Sequence, residues 1–495
     1  MTLKRLTLAA LLAFLPAVAS AQGAGAVVAA ASKAMGADSL NSITYSGTAR
    51  NGAFGQSKAI GEPMGAVNVT RITHYTRTIN FAAPSDASAV VSRATGPTQP
   101  PAVPGVPPQP AGTFNQNITA MQANTNWNQG LNIWMTPWGF LKGAAANNAT
   151  VRPQDGLQVV SFSPALKSPS GRSYTVTGYI NAQNLVTKVE TRVDNAVVGD
   201  LLVEFEYSNY KNMNGVQVPA RIVQKQASMP TFDATITAAI PNPSNLAELL
   251  TVPPPPGRAG GPAGPAPGAP PAAAAAAPVE KLGDGAFKIG GNYTSLAVDM
   301  GDHILIVESG QSDARGLAVM AAAKQAIPGK RIRYVVNSHP HFDHASGLSA
   351  AVSEGATILT HRNNEAVLER LLAGQRTLTG DSLSKKPGRG ANIVEPVGDR
   401  DIRKGTNGKV VELYRVPNEH SDGMLVVYLP AEKVLWSADV TVVNPNPAQL
   451  AVLKAVARTT SKLDYVTWIQ AHPPNPDKPL TKADVQAALA ATGTN

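Results

Sequence analysis

The sequence contains no cysteine. That absence rules out disulfides, a sulfur nucleophile, thiolate metal ligands and a lipid anchor on an N-terminal cysteine. Charged residues make up only 15% of the 495 positions and aromatics 5%. The net charge of +9 is spread thinly. Its densest groups, around Lys167 and Asp381, are short and lack interleaved aromatics, so a nucleic-acid partner is not expected. Beyond the first twenty-odd residues no run is apolar for as long as a membrane-spanning helix requires. Histidine is scarce, with eight in the whole chain. A chain without sulfur chemistry and with few histidines must do any metal chemistry with oxygen and imidazole ligands.

The termini and composition divide the chain. Lys4 and Arg5, the apolar Leu6–Val18 and the small residues Ala19-Ser20-Ala21 have the form of a signal peptide over 1–21. A mature protein starting near Gln22, periplasmic or secreted and not transmembrane after cleavage, is expected. Residues 251–280 are almost wholly Pro, Gly and Ala and have little to bury, which predicts a semi-extended linker. It separates an N-terminal domain, 22–250, from a C-terminal domain, 281–495.

In the N-terminal domain a short helix is predicted over Gly25–Met35. Two-residue alternation and β-branched enrichment from Ser42, Arg172, Leu185 and Leu201, with a closing strand after Asn212, predict mainly antiparallel β structure. The Pro-rich stretch Thr95–Gly112 reads as a long loop. Trp127, Trp134 and Trp138 suit either core packing or a surface for a lipid or other apolar ligand. The helix-then-sheet order and "YKNMNGVQVPARIV" resemble the open sheets of LolA-like lipoprotein carriers.

The C-terminal domain alternates strands and helices in layered α/β fashion. "YTSLAVDM" and "HILIVESG" read as a hairpin through Gly301-Asp302, with His303 in the turn. A helix near Ala314–Ile327, the strand "RIRYVVNS", a further helix from about His344, the strand "ATILTH" and the helix "NEAVLERLLAG" follow. "KVVELYRV", "GMLVVYLP" and "KVLWSADV" are later strands, and the last helices fall near 448–458 and 482–491.

Three of the eight histidines and an aspartate fall in His339-Pro340-His341-Phe342-Asp343-His344, directly after a strand. Asn337 and Pro340 oppose helix there. In extended chain, residues two apart point the same way, so His339 and His341 can share one metal ion. As the chain turns into a helix, Asp343 and His344 are redirected and can serve a second. Imidazole and carboxylate suit Zn, Fe or Mn.

This H-x-H-x-D-H pattern, with "PNEHSDGMLVVYLP", "KVLWSADV" and "IQAHPP" downstream, resembles the metallo-β-lactamase superfamily over about 281–495. The resemblance implies an αββα sandwich and a dinuclear centre. His339, His341 and His420 would hold one metal, and Asp343, His344 and His472 the other. Asp439 would bridge them, with a hydroxide between the metals as nucleophile and Asp343 orienting it. Two metal ions, zinc first, are implied, with iron or manganese as substitutes. This chain departs from the pattern in places. Glu308 stands where the family often has Asp, which suggests a role supporting a ligand. Glu419 replaces the glycine before His420, and Ala438 and Ala471 replace those before Asp439 and His472. His361, at a strand end, and Asn444, in the loop after Asp439, are candidates to line the cleft. The expected function is that of an exported hydrolase of an ester, lactone, β-lactam or related bond in a small molecule. An aspartate rather than cysteine or serine at the bridging position resembles hydrolases of the superfamily other than its β-lactamases. The alternatives are an iron-dependent oxidoreductase on the same fold, and a lipid or apolar-ligand binder acting through the N-terminal domain.

Overall fold

The computed structural model describes residues 15–253, 277–386, 393–473 and 478–491, the side chains of 15–22 excepted. The basic start of the expected signal peptide and most of the expected linker, 254–276, lie outside the described residues. Among the described residues no helix is long and apolar enough to cross a membrane.

The N-terminal domain is one antiparallel sheet. Its strands are β1 (Ser42–Asn51), β2 (Thr70–Asn80), β3 (Val90–Gln99), β4 (Gly112–Thr119), β5 (Thr150–Gln154), β6 (Leu157–Phe162), β7 (Val176–Ile180), β8 (Val186–Asn195), β9 (Gly199–Met213), β10 (Val216–Gln226) and β11 (Met229–Pro241). Their order is β4-β3-β2-β1-β11-β10-β9-β8-β7-β6-β5. The chain meanders outward from β1 to β4. It then crosses the sheet through three short helices, α2 (Ala120–Thr125), α3 (Trp127–Trp134) and α4 (Pro137–Ala146), and meanders back from the far edge until β11 pairs with β1. The helix α1 (Leu15–Met35) contains the predicted one. It buries Ala24, Val28, Ala31 and Met35, a stripe at helical spacing, under the same core. Trp127 and Trp138 are buried in that core and Trp134 packs against it, with Trp127 stacked on Tyr174 at 5.3 Å. The Pro-rich stretch is only in part a loop, since Thr95–Gln99 is the end of β3, with Thr95 to Thr98 paired to β4 and Gln99 to β2. A short helix, α5 (Leu246–Leu250), closes the domain against β2 and β3.

The C-terminal domain is a four-layer sandwich. One sheet holds β12 (Val279–Gly283), β13 (Ala286–Ile289), β14 (Ser295–Asp299), β15 (His303–Val307), β16 (Arg331–Val336), β17 (Thr357–His361) and β18 (Val394–Val397) in sequence order. The other holds β19 (Arg400–Lys404), β20 (Val410–Arg415), β21 (Leu425–Leu429), β22 (Val434–Ser437) and β23 (Thr467–Gln470). β15 alternates cleanly. Leu305 and Val307 face the core between the sheets with Leu413, Val427 and Trp436. Ile304 and Ile306 face a helical layer built from α6 (Asp313–Ala326), α8 (Leu348–Ser353) and α9 (Glu365–Leu372). The short α7 (Phe342–Ala345) and α10 (Ser382–Lys385) flank that layer. On the outer face of the second sheet, α11 (Pro447–Thr459) and α12 (Lys482–Ala491) cover Val426, Leu435 and Trp468. Each fully buried Val, Leu or Ile side chain contributes about 1.5–3 kcal/mol. His303 is the first residue of β15 rather than a turn residue, and its ring contacts Asp302 and Tyr334.

The domains exchange anchors. Val197, in the turn between β8 and β9, is buried in the helical-layer core of the C-terminal domain. Leu378 of the C-terminal domain is buried in the N-terminal core. Arg376 donates to the carbonyls of Ala196 and Val197 while paired with Asp381, and Asp200 accepts from Thr377 Oγ1 and Leu378 N.

Candidate metal centre

The site lies where strands end side by side. β15 and β16 are parallel, with Val307 opposite Val336, so Glu308 lands beside Ser338 and His339. β22 and β23 are parallel, with Ser437 opposite Gln470, which brings Asp439 beside His472. His420 enters from the connection between β20 and β21. His341 precedes α7, whose first turn carries Asp343 and His344. Glu308 and Asp439 both adopt left-handed backbone, φ 67° and 49°, an uncommon conformation for a side chain larger than glycine.

All seven residues named as metal ligands from the sequence converge. Two groups have ligand atoms within 4.8 Å of one another, one of His339, His341, His420 and Asp439, the other of Asp343, His344, His472 and Asp439. Asp439 belongs to both. Its Oδ2 lies 2.8 Å from His420 Nε2, 2.9 Å from His339 Nε2 and 3.1 Å from His344 Nε2, and its Oδ1 lies 2.7 Å from His472 Nε2. His420 and His339 bring their Nε2 atoms to 3.3 Å, and His472 and His344 bring theirs to 3.1 Å.

The surrounding hydrogen bonds decide which nitrogens are free. Glu308 is fully buried, and its Oε2 sits 3.2 Å from His344 Nδ1 and accepts from Ser338 Oγ at 2.8 Å. With its proton on Nδ1, His344 presents Nε2 as a lone pair. His341 Nε2 lies 3.1 Å from the Ser57 carbonyl, and its Nδ1 is buried with no partner among the described residues. Tyr293 donates to Asp343 Oδ2 at 3.0 Å and sets its ring 4.4 Å from that of His472. Burial, then the Asp343 carboxylate, raises the Tyr293 hydroxyl, so it stays protonated and donating.

Burial holds His339 down at about 3 and His341 at about 2, with neighbouring imidazoles adding to it. Both are therefore neutral at ordinary pH and offer lone pairs without competition from protons. Burial disfavours charge on Asp439, but the four surrounding imidazoles outweigh it and keep the carboxylate ionised. An orphaned, buried imidazole nitrogen and paired Nε2 atoms facing one another around an ionised carboxylate form a donor set that fits two cations. Proton-mediated contacts would leave His341 Nδ1 unsatisfied.

The other sequence candidates separate. Glu419 lines the cleft above the centre and pairs with Lys58 at 2.7 Å. His361 is not among the cleft-lining residues. It is buried behind Gly423, accepts from Asn363 N and contacts Asp399. Asn444 is exposed and does not line the cleft, whereas Asn446 of the same loop and Gln449 in the first turn of α11 do. Sequence reasoning missed Gln56, Ser57, Lys58 and Tyr293. The first three lie in a loop of the other domain with no local signal of chemistry, and Tyr293 was read only as the start of a strand.

The cleft has a volume of about 1050 Å³ and is walled by both domains. Val67, Val103 and Val106 of the N-terminal domain face Val440, Val442 and Val443 of the C-terminal one.

A family model described as the metallo-beta-lactamase superfamily matches residues 290–474. Among solved structures, a metallo-beta-lactamase from Pontibacter korlensis is 14% identical, with 44% of this chain and 100% of that one covered and a TM-score of 0.34. One from Hirschia baltica is 18% identical, with 44% and 97% covered and a TM-score of 0.32. A stereoselective inverting sec-alkylsulfatase from Pseudomonas sp. is 18% identical, with 43% and 40% covered and a TM-score of 0.31. No curated protein matches the chain. Residues 290–474 are thus a metallo-beta-lactamase superfamily domain, and both His/Asp groups lie within it.

Proposed function

We propose that the protein is an exported, dinuclear zinc hydrolase that cleaves an ester, lactone, β-lactam or related bond in a small molecule with an apolar portion. The reading rests on one observation. Two His/Asp groups sharing Asp439 lie at the floor of a cleft whose mixed walls carry valines from both domains. His339, His341 and His420 would hold one metal and Asp343, His344 and His472 the other, with Asp439 between them. When bound, the pair of cations supplies an acidified water and a Lewis acid for the scissile group.

The chain's own residues do the rest. Asp343 is held from both sides, by Gln56 on Oδ1 and Tyr293 on Oδ2, so its carboxylate has a fixed direction from which to accept a proton from an attacking water. Glu308 keeps the His344 proton on Nδ1, away from the centre. The valines exclude water from one side of the substrate and favour an aliphatic or aromatic group there. Export is inferred from Lys4, Arg5, the apolar Leu6–Val18 and Ala19-Ser20-Ala21.

Elemental analysis of protein purified from its native cells, with a panel of chromogenic β-lactam, lactone, ester, sulfate and phosphodiester substrates, tests the reading. Two zinc ions per chain and turnover of an acyl substrate that rises with the length of its apolar group are expected. Iron in the centre with visible absorption would replace the hydrolase by the oxidoreductase alternative. Protein confined to the cytoplasmic fraction with residues 1–21 still attached would overturn export.

A further inference from the structure

Four consecutive residues of the N-terminal domain, Gly55-Gln56-Ser57-Lys58, reach the metal-binding motifs of the other domain. They lie in the loop between β1 and β2. The Gly55 carbonyl accepts from Phe342 N at 2.9 Å. Gln56 Nε2 donates to Asp343 Oδ1 at 2.7 Å. The Ser57 carbonyl lies 3.1 Å from His341 Nε2. The Lys58 carbonyl accepts from Asp422 N at 2.7 Å, and Lys58 Nζ pairs with Glu419 at 2.7 Å, so this residue brackets His420. Each of the four thus touches a metal-binding residue or a residue within two positions of one.

We infer that this tetrapeptide is a positioning clasp for the metal centre, supplied in cis by the N-terminal domain. Three observations carry the inference beyond contact. The first is chemical. A carbonyl can only accept, so Ser57 fixes the His341 proton on Nε2 and leaves Nδ1 as the lone pair, and Nδ1 is the buried nitrogen without a partner. The second is steric. Gly55 has φ +76° and lies on the Phe342 ring, where an added Cβ would fall 2.6 Å from the ring edge. Only glycine brings the backbone this close. The third is internal support. Asn68 Oδ1 accepts from Lys58 N at 3.1 Å, Ser57 Oγ donates to the Ala59 carbonyl at 2.7 Å, and Phe54 packs edge-on against Phe342 at 5.2 Å. The loop is thus shaped to deliver these groups. Its role would also account for the two domains sharing one chain, since the seam around Val197 and Leu378 fixes the register in which the clasp lands.

The inference rests on the ligand assignment proposed above, and its test separates the two. Full-length protein, stripped and reloaded, is titrated with zinc against a chromophoric chelator, and its Co(II) form is examined by visible absorption. Wild type is expected to bind two metals. If it binds none, the metal reading itself fails. Gln56→Met keeps the bulk of an exposed side chain and removes only the donor. It should weaken one of the two zinc affinities by about 10- to 100-fold and shift the Co(II) spectrum, with unchanged thermal unfolding of the metal-free protein. Gly55→Val should displace the Ser57 carbonyl and weaken the other zinc site. If that variant does not fold, Gln56→Met still decides. Two unaltered zinc affinities and an unaltered Co(II) spectrum in Gln56→Met would overturn the clasp while leaving the ligand assignment standing.

Discussion

The two halves of the metal centre share Asp439 but differ in shelter. In the first, the His339 and His341 side chains are 0% and 1% exposed and only His420, at 29%, opens to the cleft. In the second, His344 is buried, but Asp343 and His472 are 33% and 39% exposed. The supports differ too. The first half is braced by a main-chain carbonyl of the N-terminal domain, at Ser57, and by Ser338, whose Oγ lies 3.2 Å from His339 Nδ1. The second is braced by side chains, Glu308 beneath and Gln56 and Tyr293 around the rim. One half is built like a structural site and the other like a site that must admit a substrate. Under the proposed ligand assignment, the first half would hold its metal and the second would exchange it.

Removing the shared ligand should erase the distinction. Asp439→Ala leaves five imidazoles around an uncompensated gap, and both metals should be lost. Activity should fall by more than the roughly 100-fold that loss of a supporting partner costs. Retention of two tightly bound metals, measured by elemental analysis after dialysis, would remove Asp439 from its bridging place. Next in size, single ligand losses should split the halves. His472→Ala should leave one metal per chain, retained against a chelator. His341→Ala should leave one that is readily stripped. Equal lability in the two variants would erase the proposed asymmetry. Smaller again, Glu308→Gln removes the carboxylate that holds the His344 proton, without changing bulk. It should weaken the exposed half by about 10- to 100-fold in zinc affinity and the sheltered half less, through Ser338 alone, read by chelator competition.

The same contrast describes what could be read from the sequence. Residues of the candidate centre sit at fixed points in short motifs after strands, and alternation in extended chain places His339 with His341, and Asp343 with His344, as the two groups in the structure do. Long, β-branched strands such as β8, β9 and β21 were equally legible, because period and propensity agree there. β4 (GTFNQNIT) and β5 (TVRPQ) were not. They are the two edges of the sheet, where Asn, Gln and Pro are tolerated because one side of the strand has no partner. Nor could the sequence reveal that Ser57 lies against His341. The two are 284 residues apart, and a main-chain carbonyl has no residue type. The left-handed backbone at Asp439 was equally hidden, since the alanine before it reported only a lost glycine.

His361 supplies the smallest expected effect and a check on how far the centre extends. A histidine buried this close to the second histidine motif invites assignment to the metal, yet its ring works on the backbone. Its Nδ1 accepts from Asn363 N at 3.3 Å, capping the turn that precedes α9, and a Cβ on Gly423 would come within 2.9 Å of that nitrogen. His361→Ala should therefore cost about 1 kcal/mol of stability through the lost cap and leave metal content and chelator resistance of both halves unchanged. His361→Asn, which can still accept from a backbone N–H, should recover part of that loss in a denaturant titration. If His361→Ala instead loosened the metal of the sheltered half, the support of that half would run through Gly423 as well as Ser57. The contrast between a braced half and an open one would then lie in the whole β20–β21 connection rather than in the clasp.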